Sequence, residues 1–297
     1  MVKKGLLVLA ASAVMASPVM AHEHEHGHHG HESAGEAAVA TDQMIAQQRE
    51  TLAKNTEGKG FGPQSPRDID SAAGSNPIVF DAVPAYTDMN LCNIHFHKNA
   101  EHKGGEFTVY AGNGEGYQSG YKYSGKLSHA EMKPLKHEVC EHHHGHGALQ
   151  VGDTIEVHYV YSTAQVVPGP TLKSCLSEAI NNPQLRVEAQ VYVLVNDKHA
   201  LDFKDLTSYK KDSRGLYQAT GIPNNTGKPV EYEGSTTGPG YNEAGSPFQV
   251  TWNVRPKVAK VDIHTVGEWC DKNDFNEDHG HGVRNLVKNP ALLSQIK

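Results

Sequence analysis

Three histidines on two short segments rich in β-branched and aromatic residues are the part of this sequence best suited to chemistry. His95 and His97 belong to the segment N-I-H-F-H, and His158 belongs to T-I-E-V-H-Y-V-Y, which begins at residue 154. Successive side chains of a β-strand point to opposite faces of a sheet, so His95 and His97 share a face. If the second strand lies beside the first, His158 completes a group of three imidazoles. Three neutral imidazoles suit Zn²⁺, and an open fourth coordination position is typical of a catalytic zinc site.

Polar residues that could orient these ligands precede them at the same two-residue spacing. Asn93 comes two residues before His95, and Glu156 comes two residues before His158. Each therefore lies on the same strand face as its histidine. An amide or carboxylate oxygen there can accept a ring N–H and fix the tautomer and orientation of a ligand. The spacing thus predicts His95, His97 and His158 as metal ligands, with Asn93 and Glu156 as their outer hydrogen-bond partners.

The elements that must position these residues are mostly β-strands. Runs rich in Val, Ile, Tyr, Phe and Thr alternate partially with polar residues, and clusters of Gly, Pro, Asn and Ser separate them. The predicted strands are Pro77–Ala82, Leu91–His97, Glu106–Tyr110, Thr154–Tyr161, Val187–Val195, Phe248–Val254 and Val258–His264. The predicted helices are Asp42–Lys54, Ser174–Asn181 and Leu286–Gln295. The fold class predicted is mainly β (α+β), a single domain on a twisted, largely antiparallel central sheet with few short helices.

The sequence around the histidines resembles the carbonic anhydrases. H-F-H-K-N-A-E-H-K-G-G-E-F, from residue 95, and V-G-D-T-I-E-V-H-Y, from residue 151, resemble the delta class. Four further pieces are similar to alpha-class segments and come in the same order along the chain: Gln64–Ile69, Gly105–Val109, Tyr232–Thr237 and Val250–Trp252. The resemblance runs from about Gln64 to the C-terminus, and it implies an alpha-carbonic-anhydrase-like central sheet that carries zinc in a cleft.

The resemblance also implies the reaction and its catalytic residues. A zinc-bound hydroxide would hydrate carbon dioxide reversibly to bicarbonate and a proton. Thr236 is implied to orient this hydroxide, and Thr237 is its substitute because the segment is one residue shorter than in the alpha class. Glu106 is implied as the carboxylate that accepts the threonine proton, with Glu101 as the alternative.

The substrate pocket should be apolar because carbon dioxide is apolar. Val160 follows His158 by two residues on the same face, and Val250 and Trp252 share a face of their own strand. All three match wall positions of the alpha-class pocket. Ser235 stands where the alpha class has a leucine, so one wall departs from the family pattern.

The resemblance assigns no proton shuttle, because the stretch between residue 66 and His95 is shorter than in the alpha class. His102, His129 and the loop histidines remain candidates. The stretch between His97 and His158 is longer than in the alpha class and holds a His-rich loop at residues 142–146. Three interpretations of that loop remain open: a second metal site, a source of proton-shuttle histidines, or a solvated loop.

The chain has four cysteines, Cys92, Cys140, Cys175 and Cys270. In an oxidising compartment they would form two disulfides, for which three pairings exist. Cys92 lies three residues before His95, so a bridge there could brace the site. A buried free thiol is the other interpretation of Cys92.

The first 21 residues have the pattern of a cleavable signal peptide. Lys3 and Lys4 precede a short apolar run, and a small-residue cleavage site ends at Ala21. The run is too short for a membrane helix, and no later stretch predicts a membrane span. We therefore predict a signal peptide at 1–21, a His-rich disordered tail at 22–58 and a catalytic domain at 59–297, in a periplasmic or secreted protein. The tail is interpreted either as a zinc scavenger or as a solvated segment.

The formal net charge of −7 argues against nucleic acid or an anionic membrane as the main partner. The expected partners are small molecules, carbon dioxide and bicarbonate. The sequence leaves the oligomeric state open.

Two other functions compete with this interpretation. His95, His97 and Glu101 fit the first half of a cupin metal motif, which would hold iron or manganese. The second half of that motif needs a proline turn, and Val151–Thr154 has none. A periplasmic zinc-binding or zinc-delivery protein is the non-enzyme alternative, favoured by the His-rich tail and loop.

Overall fold

The computed structural model describes residues 39–81, 83–114, 119–141 and 147–297. The helices in these ranges are α1 (Asp42–Thr56), α2 (Phe203–Leu206) and α3 (Ile263–Asp271). The strands are β1 (Asn90–Lys98), β2 (Val109–Tyr110), β3 (Tyr121–Lys122), β4 (Thr154–Ser162), β5 (Leu185–Val195), β6 (Tyr209–Lys211), β7 (Tyr217–Ala219), β8 (Val230–Ser235), β9 (Gln249–Val254) and β10 (Ala259–Asp262). Short 3₁₀ turns occupy Tyr86–Asp88, Leu172–Cys175, Pro239–Asn242 and Pro290–Leu292.

The central sheet has the strand order β1-β4-β5-β9-β8, and β10 also pairs with β5. The pairs β1–β4, β4–β5 and β8–β9 are antiparallel. Strand β5 is paired in parallel with β9 along its first half and with β10 along its second half. The sheet is therefore largely antiparallel with two parallel pairings, as the predicted fold class requires.

Alternation along β4 separates two environments within the fold. Ile155, Val157 and Tyr159 join one apolar cluster, which also contains Phe203 of α2 and Trp269 of α3. The residues between them point to the other face, where a second cluster includes Val160, Ala189 and Trp252. Glu156 and His158 are fully or almost fully buried on this second face. The sheet thus provides an apolar core on one side and a platform for buried polar groups on the other.

Several predicted elements differ from the structure where tertiary contacts override local preference. Residues 77–81 contain no strand, and only Val109–Tyr110 of the third predicted strand is β. The last predicted strand is divided, because the Asp262 carboxylate caps α3 by accepting the His264 N–H. The predicted helices at 174–181 and 286–295 are reduced to single 3₁₀ turns. The sequence prediction missed β8, because its glycine and two glutamates have low strand propensity. Pairing with β9 stabilises this strand nevertheless.

Helix α1 corrects the predicted domain boundary. Leu52 packs in a small cluster with Val287, Leu292 and Leu293, and the Arg49 Nε–H donates to the Leu286 carbonyl at 3.0 Å. The second half of the predicted tail is therefore an ordered helix on the catalytic domain, and residue 59 is too late a boundary. The predicted signal peptide and the His-rich tract, both within residues 1–38, lie outside the described residues. Within those described, no helix has the length and hydropathy needed to cross a membrane.

The four cysteines form two disulfides, one associated with each face of the sheet. Cys140–Cys270 belongs to the cluster beneath α3. Cys92–Cys175 belongs to the opposite cluster and joins residues that are 83 positions apart in the sequence. The alternative of a free thiol at Cys92 is therefore wrong.

Candidate active site

Strands β1 and β4 bring the three predicted ligands together. His95 and His158 are direct partners in the antiparallel register, and His97 stands opposite Glu156. The ring centroid of His95 lies 5.3 Å from that of His97 and 5.0 Å from that of His158. The ring centroids of His97 and His158 are 4.7 Å apart. One ring nitrogen from each lies within 4.8 Å of the other two. The period-two spacing alone produces this convergence once the two strands pair.

The outer hydrogen bond of His95 determines which of its nitrogens is free. The Asn93 Nδ2 group donates to the Gly169 carbonyl at 3.0 Å, and a carbonyl can only accept. The amide oxygen of Asn93 must therefore be the atom 2.6 Å from His95 Nδ1, and that nitrogen must carry the proton. His95 Nε2 is left with a lone pair.

The other two histidines are fixed in the same way. His97 Nδ1 donates to the Gly282 carbonyl at 2.7 Å, which leaves Nε2 free. His158 Nε2 donates to Glu156 Oε1 at 2.9 Å, so its free nitrogen is Nδ1. Asn93 and Glu156 thus occupy the outer positions that their spacing predicts, whereas the role of Gly282 could not be read from local sequence.

The donor set fits zinc. His158 Nδ1 and His95 Nε2 are 3.2 Å apart, and both are lone-pair nitrogens. Tetrahedral zinc with Zn–N bonds of about 2.0–2.1 Å holds its ligand nitrogens roughly 3.3 Å apart. Two facing lone pairs repel each other unless a cation lies between them. The same three histidines form one group in the described residues that could hold a metal ion; Glu101, His102 and His158 form another.

Burial keeps the His95 and His97 imidazoles neutral. Burial, reinforced by the neighbouring histidines, lowers the pKa of His95 well below its usual value. Burial lowers the pKa of His97 to about 4, against an opposing influence from Glu101. Burial by itself would raise the pKa of Glu156, but His102 and His158 outweigh it and hold that pKa well below its usual value. At neutral pH the site therefore combines neutral imidazoles at His95 and His97 with an ionised carboxylate at Glu156.

A buried relay extends from Glu156 away from the ligands. Glu156 Oε1 also accepts from His102 Nδ1 at 2.6 Å, and His102 Nε2 lies 2.6 Å from the Tyr232 hydroxyl. The Tyr232 hydroxyl lies 2.9 Å from Ser65 Oγ. His102 is fully buried and donates to Glu156, so it orients that carboxylate and does not itself contact solvent. The sequence could not predict this position of His102, because His102 follows Glu101 in a turn after β1, where side chains do not alternate regularly as they do in a strand.

His95, His97 and His158, the three predicted ligands, line a cleft of about 290 Å³. Asn93, Glu101 and Trp252 line it together with residues from two loops and the C-terminal segment: Thr171, Leu172, Thr236, Thr237, Gly238, Pro239, Glu277, His281 and Gly282. Trp252 closes the floor, with its ring 4.9 Å from that of His158. The cleft therefore joins a three-nitrogen donor set to carboxylate, hydroxyl and apolar side chains.

Comparison with known proteins identifies the family. The family model described as "Delta carbonic anhydrase" matches residues 86–265, which is more than half of the chain and includes His95, His97 and His158. The chain belongs to the delta carbonic anhydrase family. It is therefore a carbonic anhydrase, an enzyme of carbon dioxide hydration, and the cupin and zinc-delivery interpretations are wrong. A search of curated protein sequences finds no significant match.

Solved structures similar to this carbonic anhydrase are distant. The alpha-carbonic anhydrase of Thermovibrio ammonificans, in complex with the inhibitor sulfanilamide, is 13% identical, covers 88% of this chain and 97% of its own, and has a TM-score of 0.29. The Photobacterium profundum alpha-carbonic anhydrase is 13% identical with coverages of 85% and 96% and a TM-score of 0.27. A halotolerant carbonic anhydrase from Dunaliella salina is 14% identical with coverages of 82% and 93% and a TM-score of 0.30. Scores this low carry no weight in the assignment, which rests on the family match.

Glu101, the predicted alternative, lines the cleft of this carbonic anhydrase, whereas Glu106 does not. Glu101 lines the cleft, is 5% exposed and accepts the Arg284 backbone N–H at 3.2 Å. Glu106 lies outside the cleft, where its carboxylate accepts the Val258 N–H at 2.8 Å. The reason is local: the backbone turns at Gly104 and Gly105, both with positive φ, and carries Glu106 away from the site.

Charge keeps Glu101 ionised in the enzyme. Burial alone would raise its pKa, but His97 and Arg284 outweigh burial and lower it. Arg284 is itself buried and donates to the Ser235 carbonyl at 3.2 Å. Sequence reasoning missed Arg284 because it comes from the C-terminal segment, far from the ligands in the chain.

The predicted catalytic threonines and pocket residues meet different outcomes. Thr236 and Thr237 both line the cleft, directly after β8, and Trp252 lines it as well. Val160 and Val250 do not line it; each is 1% exposed inside the apolar cluster beneath the site. Period-two spacing gives their face correctly, but not their depth, because partly buried side chains such as Leu172 pack over that cluster.

The mouth of the cleft carries a histidine that sequence reasoning left unassigned. The C-terminal segment pairs with the edge of β1, where the His281 N–H donates to the Phe96 carbonyl at 2.9 Å. The His281 ring lies 5.7 Å from that of His95, and its Nε2 is 2.5 Å from the Glu277 carboxylate. Burial acts to lower the pKa of His281, but Glu277 outweighs it and raises that pKa. His129 is exposed in the loop that follows β3, and residues 142–146 lie outside the described residues.

Proposed function

We propose that this carbonic anhydrase is a zinc enzyme whose ligands are His95 Nε2, His97 Nε2 and His158 Nδ1. The observation that carries the proposal is the set of three outer hydrogen bonds. Each ends on an oxygen that can only accept, so each inner nitrogen offers a lone pair. Three such nitrogens within 4.8 Å of one another suit a catalytic zinc with an open fourth position.

Zinc bound there would supply a nucleophile near neutral pH, because three-histidine zinc lowers the pKa of its bound water to about 7. The residues around it would position that nucleophile. The ionised Glu101 carboxylate can only accept hydrogen bonds, so a threonine hydroxyl that donates to it presents its own lone pair outward. Thr236 and Thr237 are the cleft threonines that directly follow β8, and we propose Thr236 first for this role.

The apolar part of the cleft would receive carbon dioxide. Trp252, Leu172 and Pro239 supply apolar surface close to the ligands. Carbon dioxide has no charge or hydrogen-bond donor, so such a surface holds it without competing with the donor nitrogens.

We also propose that the protein is exported with cleavage after Ala21. The apolar run after Lys3 and Lys4 supports a signal peptide. Both disulfides suit an oxidising compartment such as the periplasm.

Stopped-flow hydration of carbon dioxide tests the proposed chemistry. We expect fast hydration by the purified protein, loss of that activity after removal of metal with a chelator, and recovery when zinc is added back. His97→Ala should bind one zinc fewer per chain and stay inactive after zinc addition. Activity that survives complete metal removal, or unchanged zinc content in His97→Ala, would rule out the proposed centre.

A further inference from the structure

Residues 163–175, here called the wall segment, run beside β1 and form one side of the cleft. The Asn90 side chain donates to the Val166 carbonyl at 2.8 Å, and the Gly169 N–H donates to the Cys92 carbonyl at 3.0 Å. The segment ends at Cys175, whose disulfide joins it to Cys92. Two of its residues, Thr171 and Leu172, line the cleft. The wall segment is thus attached to the strand that carries His95 and His97.

The attachment point on β1 is a β-bulge. Leu91 pairs with Tyr161 and Asn93 pairs with Val160, so Cys92 is the extra residue. In a regular strand, neighbouring side chains point to opposite faces. A bulge re-aims side chains, and here Cys92 packs in the cluster beneath the site while the adjacent Asn93 reaches His95. The Cys92–Cys175 disulfide and the Asn93 side chain therefore lie on the same side of the sheet.

Asn93 connects the wall segment to a ligand. Its Nδ2 group donates to Gly169 and its Oδ1 accepts from His95, and the side chain is 1% exposed. The Gly169 carbonyl is what decides the orientation of this amide, since an amide rotated by half a turn would place oxygen against oxygen. The position of Gly169 thus sets the tautomer of His95.

The wall segment also contains a strained residue at the cleft. Thr171 has φ of 58° and ψ of 167°, a region that is essentially restricted to glycine. Such a conformation persists only where the surroundings enforce it. Cys175 follows four residues later, is fully buried and is covalently fixed, and its carbonyl accepts from Ser162 at 2.8 Å. These constraints hold the segment in a shape that it would otherwise relax from.

We propose that the Cys92–Cys175 disulfide positions His95 through the wall segment, Gly169 and Asn93, and so sets the affinity of the three-histidine site for zinc. This inference rests on the proposed zinc function. The second disulfide, Cys140–Cys270, packs on the opposite face of the sheet, and within the described residues it has no hydrogen bond to any of the three histidines. It stabilises the fold without tuning the site.

The two disulfides provide matched variants for the test. Zinc affinity is measured on metal-depleted full-length protein by competition with a chromophoric chelator, and binding by His97→Ala is subtracted to remove zinc held elsewhere. We expect Cys92→Ala/Cys175→Ala to lose about 10- to 100-fold in affinity, the usual effect of an outer-shell change. Cys140→Ala/Cys270→Ala should melt at a lower temperature but keep its affinity and its Co²⁺ absorption spectrum. Wild-type affinity in the first variant would overturn the inference.

Asn93 supplies a test that a purely structural bridge would fail. If the bridge acts through Asn93, adding Cys92→Ala/Cys175→Ala to Asn93→Ala costs no further affinity, whereas independent effects would add. Additive losses would overturn the inference. If the cysteine variant does not fold, Asn93→Asp is decisive, because aspartate can still accept from His95 but cannot donate to Gly169. Its affinity should fall; unchanged or tighter binding contradicts the inference. Failure of wild-type protein to bind one zinc above His97→Ala would instead refute the proposed zinc function.

Discussion

The two faces of strand β4 are equally buried but are built from different chemistry. Ile155, Val157 and Tyr159 are fully buried in an apolar cluster beneath α2 and α3. Glu156 and His158, between them in sequence, are at most 2% exposed on the other face. A buried polar group costs several kcal/mol unless it is hydrogen-bonded. One strand thus contributes to stability through one face and to chemistry through the other.

The difference shows how the protein tolerates the polar face. Every outer nitrogen of the ligands has an oxygen partner, and Glu156 receives hydrogen bonds from His158 and from both the ring and the backbone of His102. The inner nitrogens of the three histidines have no donor among the described residues. The hydrogen bonds described here therefore satisfy the outer polar groups of the site and leave the three converging lone pairs for a metal ion.

Exchanging one residue on each face gives the largest contrast. We expect His158→Ala to lose more than the roughly 100-fold in zinc affinity that outer-shell changes reach, because it removes a ligand itself. Ile155→Ala should instead lower the free energy of unfolding by about 2–5 kcal/mol and bind one zinc as before. Metal analysis after dialysis and urea unfolding measure the two effects. Equal zinc loss in both variants would mean that the faces are not separable.

The two glutamates after β1 provide the next contrast. Glu101→Gln should reduce kcat for carbon dioxide hydration about 10- to 100-fold, because the neutral amide no longer acts only as an acceptor. Glu106→Gln should leave kcat unchanged, since its carboxylate contacts the Val258 N–H outside the cleft. Stopped-flow assays of the zinc-loaded variants decide between them. The reverse pattern would restore Glu106 to the catalytic role that the sequence predicts.

Removal of one hydroxyl from the buried relay tests whether the polar face also stabilises the fold. Tyr232→Phe leaves His102 Nε2 without its 2.6 Å partner. We expect a loss of about 1–3 kcal/mol in the free energy of unfolding, with zinc still bound. Ser65→Ala, at the outer end of the relay, should cost less. No change in Tyr232→Phe would show that the relay is energetically neutral.

Acid should act on the polar face of the metal-free protein. The pKa of His97 falls from about 6.5 to about 4 on folding, so the unfolded chain binds more protons between these values. Its contribution to stability is therefore complete above pH 6.5 and is lost as pH falls towards 4. In His97→Gln the unfolding free energy should decline less over that window than in the wild type. Parallel declines in both proteins would contradict the assignment.

The sequence predicted what depends on local periodicity and missed what depends on the path of the chain. His95, His97, His158, Asn93 and Glu156 follow from two-residue spacing on two strands. The position of Glu101 depends on the turns that follow β1, where side chains do not alternate regularly between two faces. Arg284, His281 and Gly282 reach the site because a distant segment pairs with the edge of β1. Cysteine pairing likewise follows from the sheet, since sequence alone allowed three pairings.

The most direct test of the central claim is a crystal structure of the zinc-loaded enzyme with anomalous data at the zinc edge. The account predicts one zinc bound by His95 Nε2, His97 Nε2 and His158 Nδ1, with the outer nitrogens still on Asn93, Gly282 and Glu156. A zinc held elsewhere, or by His158 Nε2 after rotation of its ring away from Glu156, would contradict it.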